Sequence, residues 1–174
     1  MESLRGKLLI ANPGLFDYFR RAVILVVEHS AEGAFGVILN RPSETLVGDV
    51  VPPLGEIADP DLPVRVGGPV GEESLVILGE FAEPGLTPKA VVGGVGVVDP
   101  DNGEAEVLRA RVFAGHAGWT GGQLEDELTA EAWLVEAAEP EDVFAAGDLW
   151  AERLQRRGGQ WAILATMPED PSLN

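Results

Sequence analysis

The stretch Ala22-Val23-Ile24-Leu25-Val26-Val27 is a run of apolar, largely β-branched residues with no polar residue alternating through it. β-branched side chains favour extended backbone. A strand that shows no alternation has protein packed on both faces. A second run, residues 34–40, follows residues 23–29 after only Ser30-Ala31-Glu32-Gly33. A link of this length containing a glycine makes a hairpin, so the two runs are expected to pair antiparallel. The chain is thus built on a sheet whose centre is covered on both sides.

The other short β-branched runs bounded by Gly, Pro or Asn are expected strands: residues 7–11, 64–66, 75–80, 90–98, 107–114, 132–137 and 161–165. In residues 107–114, Arg109 and Arg111 fall on one face, toward solvent or a pocket. Helices are fewer. Thr120-Gly121-Gly122-Gln123 has capping-box spacing, Glu125, Asp126 and Glu127 suit a helix start, and Leu124 with Leu128 makes one apolar stripe. Residues 141–157 read as a second helix, with Pro140 in its first turn and Gly158-Gly159 at its end. Val143, Gly147, Trp150 and Leu154 share one side of it, and Gly147-Asp148 is a place to split it, Asp148 capping the second piece. Arg153, Arg156 and Arg157 suit its last turn as partners of the macrodipole. Residues 43–50 allow a third, short helix. Pro and Gly cluster at 52–63 and 83–88, too short for interdomain linkers. The first of these, carrying Glu56, Asp59 and Asp61, reads as a solvated connector or a flap. Residues 1–174 are therefore expected to form a single domain.

Charge limits the partners. Lys and Arg total 12 against 29 Asp and Glu, a net −17. Nucleic-acid binding needs cations that displace counterions from phosphates, and docking on an anionic membrane needs the same sign. Neither is expected here. The N-terminus lacks the apolar run of a secretory signal, and no stretch reaches membrane-span length, so the expected location is the cytoplasm. Cysteine is absent, and His29 and His116 are the only histidines, so no thiol chemistry, metal site or cofactor is expected. Gly-x-Ser-x-Gly is absent, Gly93-Gly94-Val95-Gly96 does not continue into a dinucleotide fingerprint, and Gly67-Gly68-Pro69-Val70-Gly71 lacks the Lys of a phosphate loop. These glycines read as turns and close backbone approaches. No catalytic residue is assigned.

Two residues carry alternatives. Arg41, at a strand exit in Asn40-Arg41-Pro42, either pairs with an internal carboxylate or binds an anionic ligand. Trp119, in Gly115-His116-Ala117-Gly118-Trp119, is placed between a strand and a helix start. There it packs into the core or rims a pocket beside free helix amides.

Several motifs resemble one family in order along nearly the whole chain. They are Leu9-Ile10-Ala11-Asn12-Pro13-Gly14-Leu15, Asp17 with Phe19-Arg20-Arg21-Ala22-Val23, Glu28-His29, and Gly33-Ala34-Phe35-Gly36-Val37-Ile38-Leu39-Asn40-Arg41-Pro42. They continue with Val66-Gly67-Gly68-Pro69-Val70, Gly115-His116-Ala117-Gly118-Trp119, Gly122-Gln123-Leu124-Glu125, Trp133-Leu134 and Pro168-Glu169-Asp170-Pro171-Ser172-Leu173-Asn174. Together they resemble the YqgE/AlgH family, also called UPF0301 or DUF179. Ala22 stands where the family usually has Ser, and His116 where it usually has Tyr, so those two hydroxyls are missing here.

The resemblance implies an α+β fold: a mixed, largely antiparallel β-sheet, coiled or barrel-like in one form, flanked by a few helices. It carries no enzymatic activity over. The family is often labelled a transcriptional regulator, which the acidic charge makes indirect, through a protein or small-molecule partner. The favoured reading is a non-enzymatic binding or regulatory module. The alternative is an enzyme using carboxylates with His29 or His116 on a small anionic substrate. The candidate binding residues are Arg21, His29, Asn40, Arg41, Gly67, Gly68, His116, Trp119, Gln123 and Glu125. Asn40-Arg41-Pro42 and Gly67-Gly68-Pro69 are expected to converge near Trp119 and the helix starting at Gln123.

Overall fold

A computed structural model of the chain describes residues 2–50, 58–83, 85, 89–99 and 106–167. The first strands are β1 (Lys7–Ala11), β2 (Val23–Ser30), β3 (Gly33–Ile38), β4 (Pro42–Leu46) and β5 (Pro63–Val66). They are followed by β6 (Val70–Phe81), β7 (Ala90–Val92), β8 (Val95–Val97), β9 (Val107–Thr120) and β10 (Trp133–Ala137). The helices are short: α1 (Val47–Val50), α2 (Gln123–Thr129), α3 (Pro140–Phe144), α4 (Leu149–Arg157) and α5 (Gln160–Leu164). The strands form one curled sheet in the order β10-β1-β2-β3-β9-β6-β8-β7, with β4 and β5 branching from it. Every pairing is antiparallel except β5 on β9. This is the expected α+β arrangement of a mixed, largely antiparallel sheet and a few helices.

The expected hairpin is present. β2 pairs with β3 from Ile24↔Ile38 to Ser30↔Gly33, with a bulge between Val26 and Glu28. Val23 to Val27 are buried throughout, as the missing alternation demands. Beyond the bulge the strand alternates, and Glu28 and Ser30 face solvent.

β9 is the longest strand, and it serves two neighbourhoods. Its first half pairs with β6 and, on its other edge, with β5 at Arg65↔Phe113 and Val66↔Ala114. Its last residues pair with β3, from Gly36↔Ala117 to Gly33↔Thr120. At the fork sits Gly67, whose N–H donates to the Ala114 carbonyl and whose carbonyl accepts from Ile38 N–H, both at 2.8 Å. The approach is too close for side chains. A Cβ on Gly67 would lie 2.3 Å from the Gly115 oxygen, and one on Gly68 would lie 2.1 Å from the His116 carbonyl carbon. Gly115 bends the strand there, with φ +74.

Several sequence expectations need correction. Residues 107–114 are only the start of β9, so His116 and Trp119 lie within a strand rather than in a strand-to-helix link. Residues 90–98 are two strands folded back on each other, β7 and β8, because Gly93 turns with φ +54. Residues 43–50 begin as strand β4 and become helical only at Val47. Residues 161–165 are not a strand. After Gly158 and Gly159, both at positive φ, the chain enters α5. The helix expected over 141–157 is split into α3 and α4, and Asp148 caps α4 by accepting from Ala151 N–H at 3.0 Å. Thr120 caps nothing: the N-cap of α2 is Gly122. Arg153, Arg156 and Arg157 form ion pairs with Glu136, Asp142, Glu139 and Glu152 rather than serving the macrodipole alone. Residues 52–57 of the expected 52–63 connector and the whole 168–174 motif lie outside the described residues.

The fork yields a paired test. Gly68→Ala is expected to cost at least about 2 kcal/mol in urea unfolding, since backbone must move. Gly118→Ala, where a Cβ meets nothing within 4 Å, should stay within about 0.5 kcal/mol of the parent. Equal costs would contradict the close approach.

Candidate functional site

The candidate residues fall into two groups at different ends of β3. One gathers around His29 and α2. His29, with a side chain 4% exposed, has both ring nitrogens engaged. Leu4 N–H donates to Nδ1 at 2.9 Å, and Nε2 lies 2.6 Å from Glu125 Oε1. Because Nδ1 accepts, the neutral ring carries its proton on Nε2 and donates it to Glu125. The His29 hydrogen bond, followed by backbone hydrogen bonds, holds the Glu125 carboxyl below the usual carboxylate range. With its lone pair occupied and its proton committed, this imidazole ties the N-terminal segment to α2.

Trp119 is core. It is 6% exposed and packs edge-to-face with Trp133 at 6.4 Å. Glu127 Oε1 accepts from both indoles, at 3.1 Å from Trp119 and 3.0 Å from Trp133. Gln123 donates to Glu127 Oε2 at 3.0 Å and accepts from Thr120 N–H at 3.1 Å. Since β9 and β10 are separated by three strands in the sheet, this shared acceptor pins the curl of the sheet through α2. Glu127 escaped sequence reading because its two partners lie on different strands. His116 stacks at 4.8 Å against Phe35, and Gly67 and Gly68 form the fork.

The second group lies where β1 turns into β2. Asn40 secures that turn: its Oδ1 accepts from Val23 N–H and its Nδ2 donates to the Arg21 carbonyl, both at 2.9 Å. Arg21 is held at φ 59, unusual for a residue with a side chain. Arg41 donates to the Arg20 carbonyl at 2.9 Å. Each of the three guanidiniums lies over an aromatic ring: Arg20 over Phe16 at 4.8 Å, Arg21 over Trp150 at 4.7 Å and Arg41 over Tyr18 at 4.9 Å. Stacking fixes the plane of the fork and leaves its edge free to donate. Arg21 also donates to the Met167 carbonyl at 2.6 Å. No ion pair joins any of the three to a carboxylate among the described residues. The internal ion pair weighed for Arg41 is therefore not formed there.

Arg20, Arg21, Asn40 and Arg41 line a cavity of about 300 Å³ with Gly147 and Asp148. Buried Arg65 ties two of its walls, donating to the Leu39 carbonyl and, at 3.0 Å, to the Ala145 carbonyl. Burial, then repulsion from Arg111, draws the Arg65 guanidinium below the usual arginine range. Arg20 and Arg21 also border a second cavity of about 440 Å³ with Asn12, Pro13, Gly14, Phe16, Trp150, Leu164 and Met167.

Among the described residues, the cavity at His29 and Trp119 shares no lining residue with the two cavities at the arginines. Arg41 O accepts from Val66 N–H, Val66 pairs with Ala114, and Trp119 lies further along β9. At strand rise this places at most about 16 Å of strand between the two, less the bend at Gly115. A run of edge-to-face rings, Tyr18–Phe19–Trp133–Trp119, spans the interval. Gly67 and Gly68 do approach β9 at Gly115–Ala117, but Arg41 and Trp119 border different described cavities, and Arg20 joins the arginine cavity although sequence reading left it out. Its adjacency to Arg21 was the available signal. Among the described residues no group of three or more metal-ligating side chains occurs, and no helix is long and apolar enough to cross a membrane.

A family model described as AlgH-like, DUF179, matches residues 8–162. A UPF0301 protein of Streptomyces coelicolor is 43% identical, the match covering 100% of this chain and 97% of the relative. One from Mycobacterium tuberculosis is 41% identical over 97% of this chain and 90% of its own length. Among solved structures, a Corynebacterium diphtheriae protein matches at TM-score 0.83 and 31% identity, over 95% of this chain and 93% of that one. The solution structure of AlgH from Pseudomonas aeruginosa matches at 0.69 and 26%, over 97% and 96%.

Two measurements check the first group. Glu127→Leu strands two indole N–H donors and is expected to cost about 1–3 kcal/mol by urea unfolding. A neutral result would show that the indoles find other acceptors. The depressed Glu125 carboxyl contributes stability that is present above its unfolded value of about 4.3 and is lost as pH falls through its lower folded value. The stability gap between the parent and Glu125→Gln should therefore be widest near pH 7 and close below about pH 4. A gap constant across that range would contradict the hydrogen bond as its source.

Proposed function

The chain belongs to the AlgH-like DUF179 family, and from that premise we propose that it is a cytoplasmic, non-enzymatic binding module whose ligand is a small anion held by Arg20, Arg21 and Arg41. One observation carries this reading. In a chain with 29 acidic and 12 basic residues, three guanidiniums border one cavity with no carboxylate paired to them among the described residues. Acidic side chains outnumber basic ones, so partners for an arginine are abundant, and leaving three without one preserves their donors for something else. Asp148 borders the cavity too, but its Oδ1 is engaged in capping α4.

The geometry favours binding over chemistry. Asn40 and the aromatic rings hold the arginines before any ligand arrives, which lowers the entropy cost of binding. Arginine has no proton to exchange near neutral pH, and His29 has neither a free lone pair nor an uncommitted proton. A regulatory role would then pass through the occupied state of this pocket to a partner. The net −17 supports an indirect role rather than contact with a duplex.

Inorganic phosphate tests the reading, with Trp150 fluorescence as the reporter because Arg21 lies on its ring. A saturable response is expected in the parent protein. Arg20→Gln and Arg41→Gln should each weaken it at least about tenfold, the value of a charge-assisted hydrogen bond, with far-ultraviolet circular dichroism unchanged. Absence of saturation, or binding by both variants as tight as the parent's, would overturn the proposal.

A further inference from the structure

The arginine pocket shares two lining residues with a second cavity of opposite character. Arg20 and Arg21 border both. On one side lie Asn40, Arg41 and the three guanidinium edges. On the other lie Pro13, Phe16, Trp150, Leu164 and Met167. Phe16 is 59% and Met167 44% exposed, although both border this concave surface. Scattered apolar side chains on a surface need no explanation, but apolar residues rimming a cleft mark a binding surface. The two volumes, about 440 and 300 Å³, each lie within the common range for small-molecule sites.

Resting on the anion-binding reading above, we propose that the ligand is an amphipathic anion, a carboxylate or phosphate monoester on an apolar body of acyl-chain size. Its head lies among Arg20, Arg21 and Arg41, and its body lies in the cleft between the Asn12-Pro13-Gly14 turn and α5. The seam between the cavities is built for such a molecule. Arg21 lies over Trp150 at 4.7 Å and donates to the Met167 carbonyl, so its alkyl stem and Trp150 continue the apolar wall up to the charged edge. Arg20 does the same on Phe16. A bare inorganic anion leaves the cleft hydrated, and an uncharged chain leaves the guanidiniums unused. Charge complementarity also runs against the rest of the molecule, because an anion is repelled by most of this surface and attracted here.

Calorimetric titration of the intact protein with acetate, octanoate, octyl phosphate, octanol and inorganic phosphate tests the proposal. Full burial of a methylene strengthens binding about fourfold. Octanoate or octyl phosphate is therefore expected to bind at least about tenfold more tightly than acetate or inorganic phosphate, with octanol weak. Arg20→Gln should weaken both the short and the long anions. Met167→Gln and Leu164→Gln should weaken only the long ones, and Met167 is exposed enough for its variant to fold if the other does not. Short anions that bind as tightly as long ones would overturn the amphipathic ligand and leave the anion site standing. Octanol equal to octanoate, with Arg20→Gln silent, would overturn it too, by showing a cleft indifferent to charge. If no anion binds at all, both readings fall together.

Discussion

The approach of Gly67-Gly68 to Gly115-His116 is the constraint on which the rest of the structure depends. A long strand such as β9 would ordinarily keep one neighbour on each edge. Here β5 enters beside it, and Gly67 bonds to Ala114 on one side and Ile38 on the other. β3 and β5 therefore divide the same edge of β9 between them. With side chains at the fork the backbones would stand apart, and β5 could not reach the end of β3. That junction brings Arg65 under Leu39, sets the direction in which Asn40 and Arg41 leave the sheet, and so fixes where the arginine pocket forms.

A second clamp acts at the other end. α2 carries Glu127 against the indoles of Trp119 and Trp133 and Glu125 against His29. The first contact holds the curl of the sheet, and the second holds the N-terminal segment. These polar groups are spent on architecture. Arg20 and Arg21 in the β1–β2 turn and Arg41 after β3 are held differently, by carbonyls and aromatic faces rather than by carboxylates. Carbonyl and ring contacts orient a guanidinium without neutralising it, which is the distinction between a structural cation and one kept available.

Much of the sheet was legible in the sequence because its signals are local. The unbroken apolar run of β2 and the short Gly-containing link to β3 specify a buried hairpin without reference to the rest of the chain. Asp148 could be read as a cap for the same reason. Residues 161–165 misled because Trp and Ile favour strands only weakly, and the paired glycines before them set a new direction that allowed one helical turn. Trp119 misled because Gly115 and Gly118 look like turn residues, whereas Gly115 only bends β9 and Gly118 fits within it. The site was partly legible. Arg21, Asn40 and Arg41 stand out at strand ends, but the rings beneath the guanidiniums come from separate segments, and no spacing encodes that Trp150 lies under Arg21.

On the proposed reading, Arg20, Arg21 and Arg41 stay available to one anion. A crystal structure of the chain grown in selenate, with anomalous diffraction measured at the selenium edge, tests it directly. An anomalous peak is expected between the three guanidiniums, each still lying over its aromatic ring. A pocket empty of selenate while the ion binds elsewhere, or a carboxylate of the chain seated between the arginines, would contradict it.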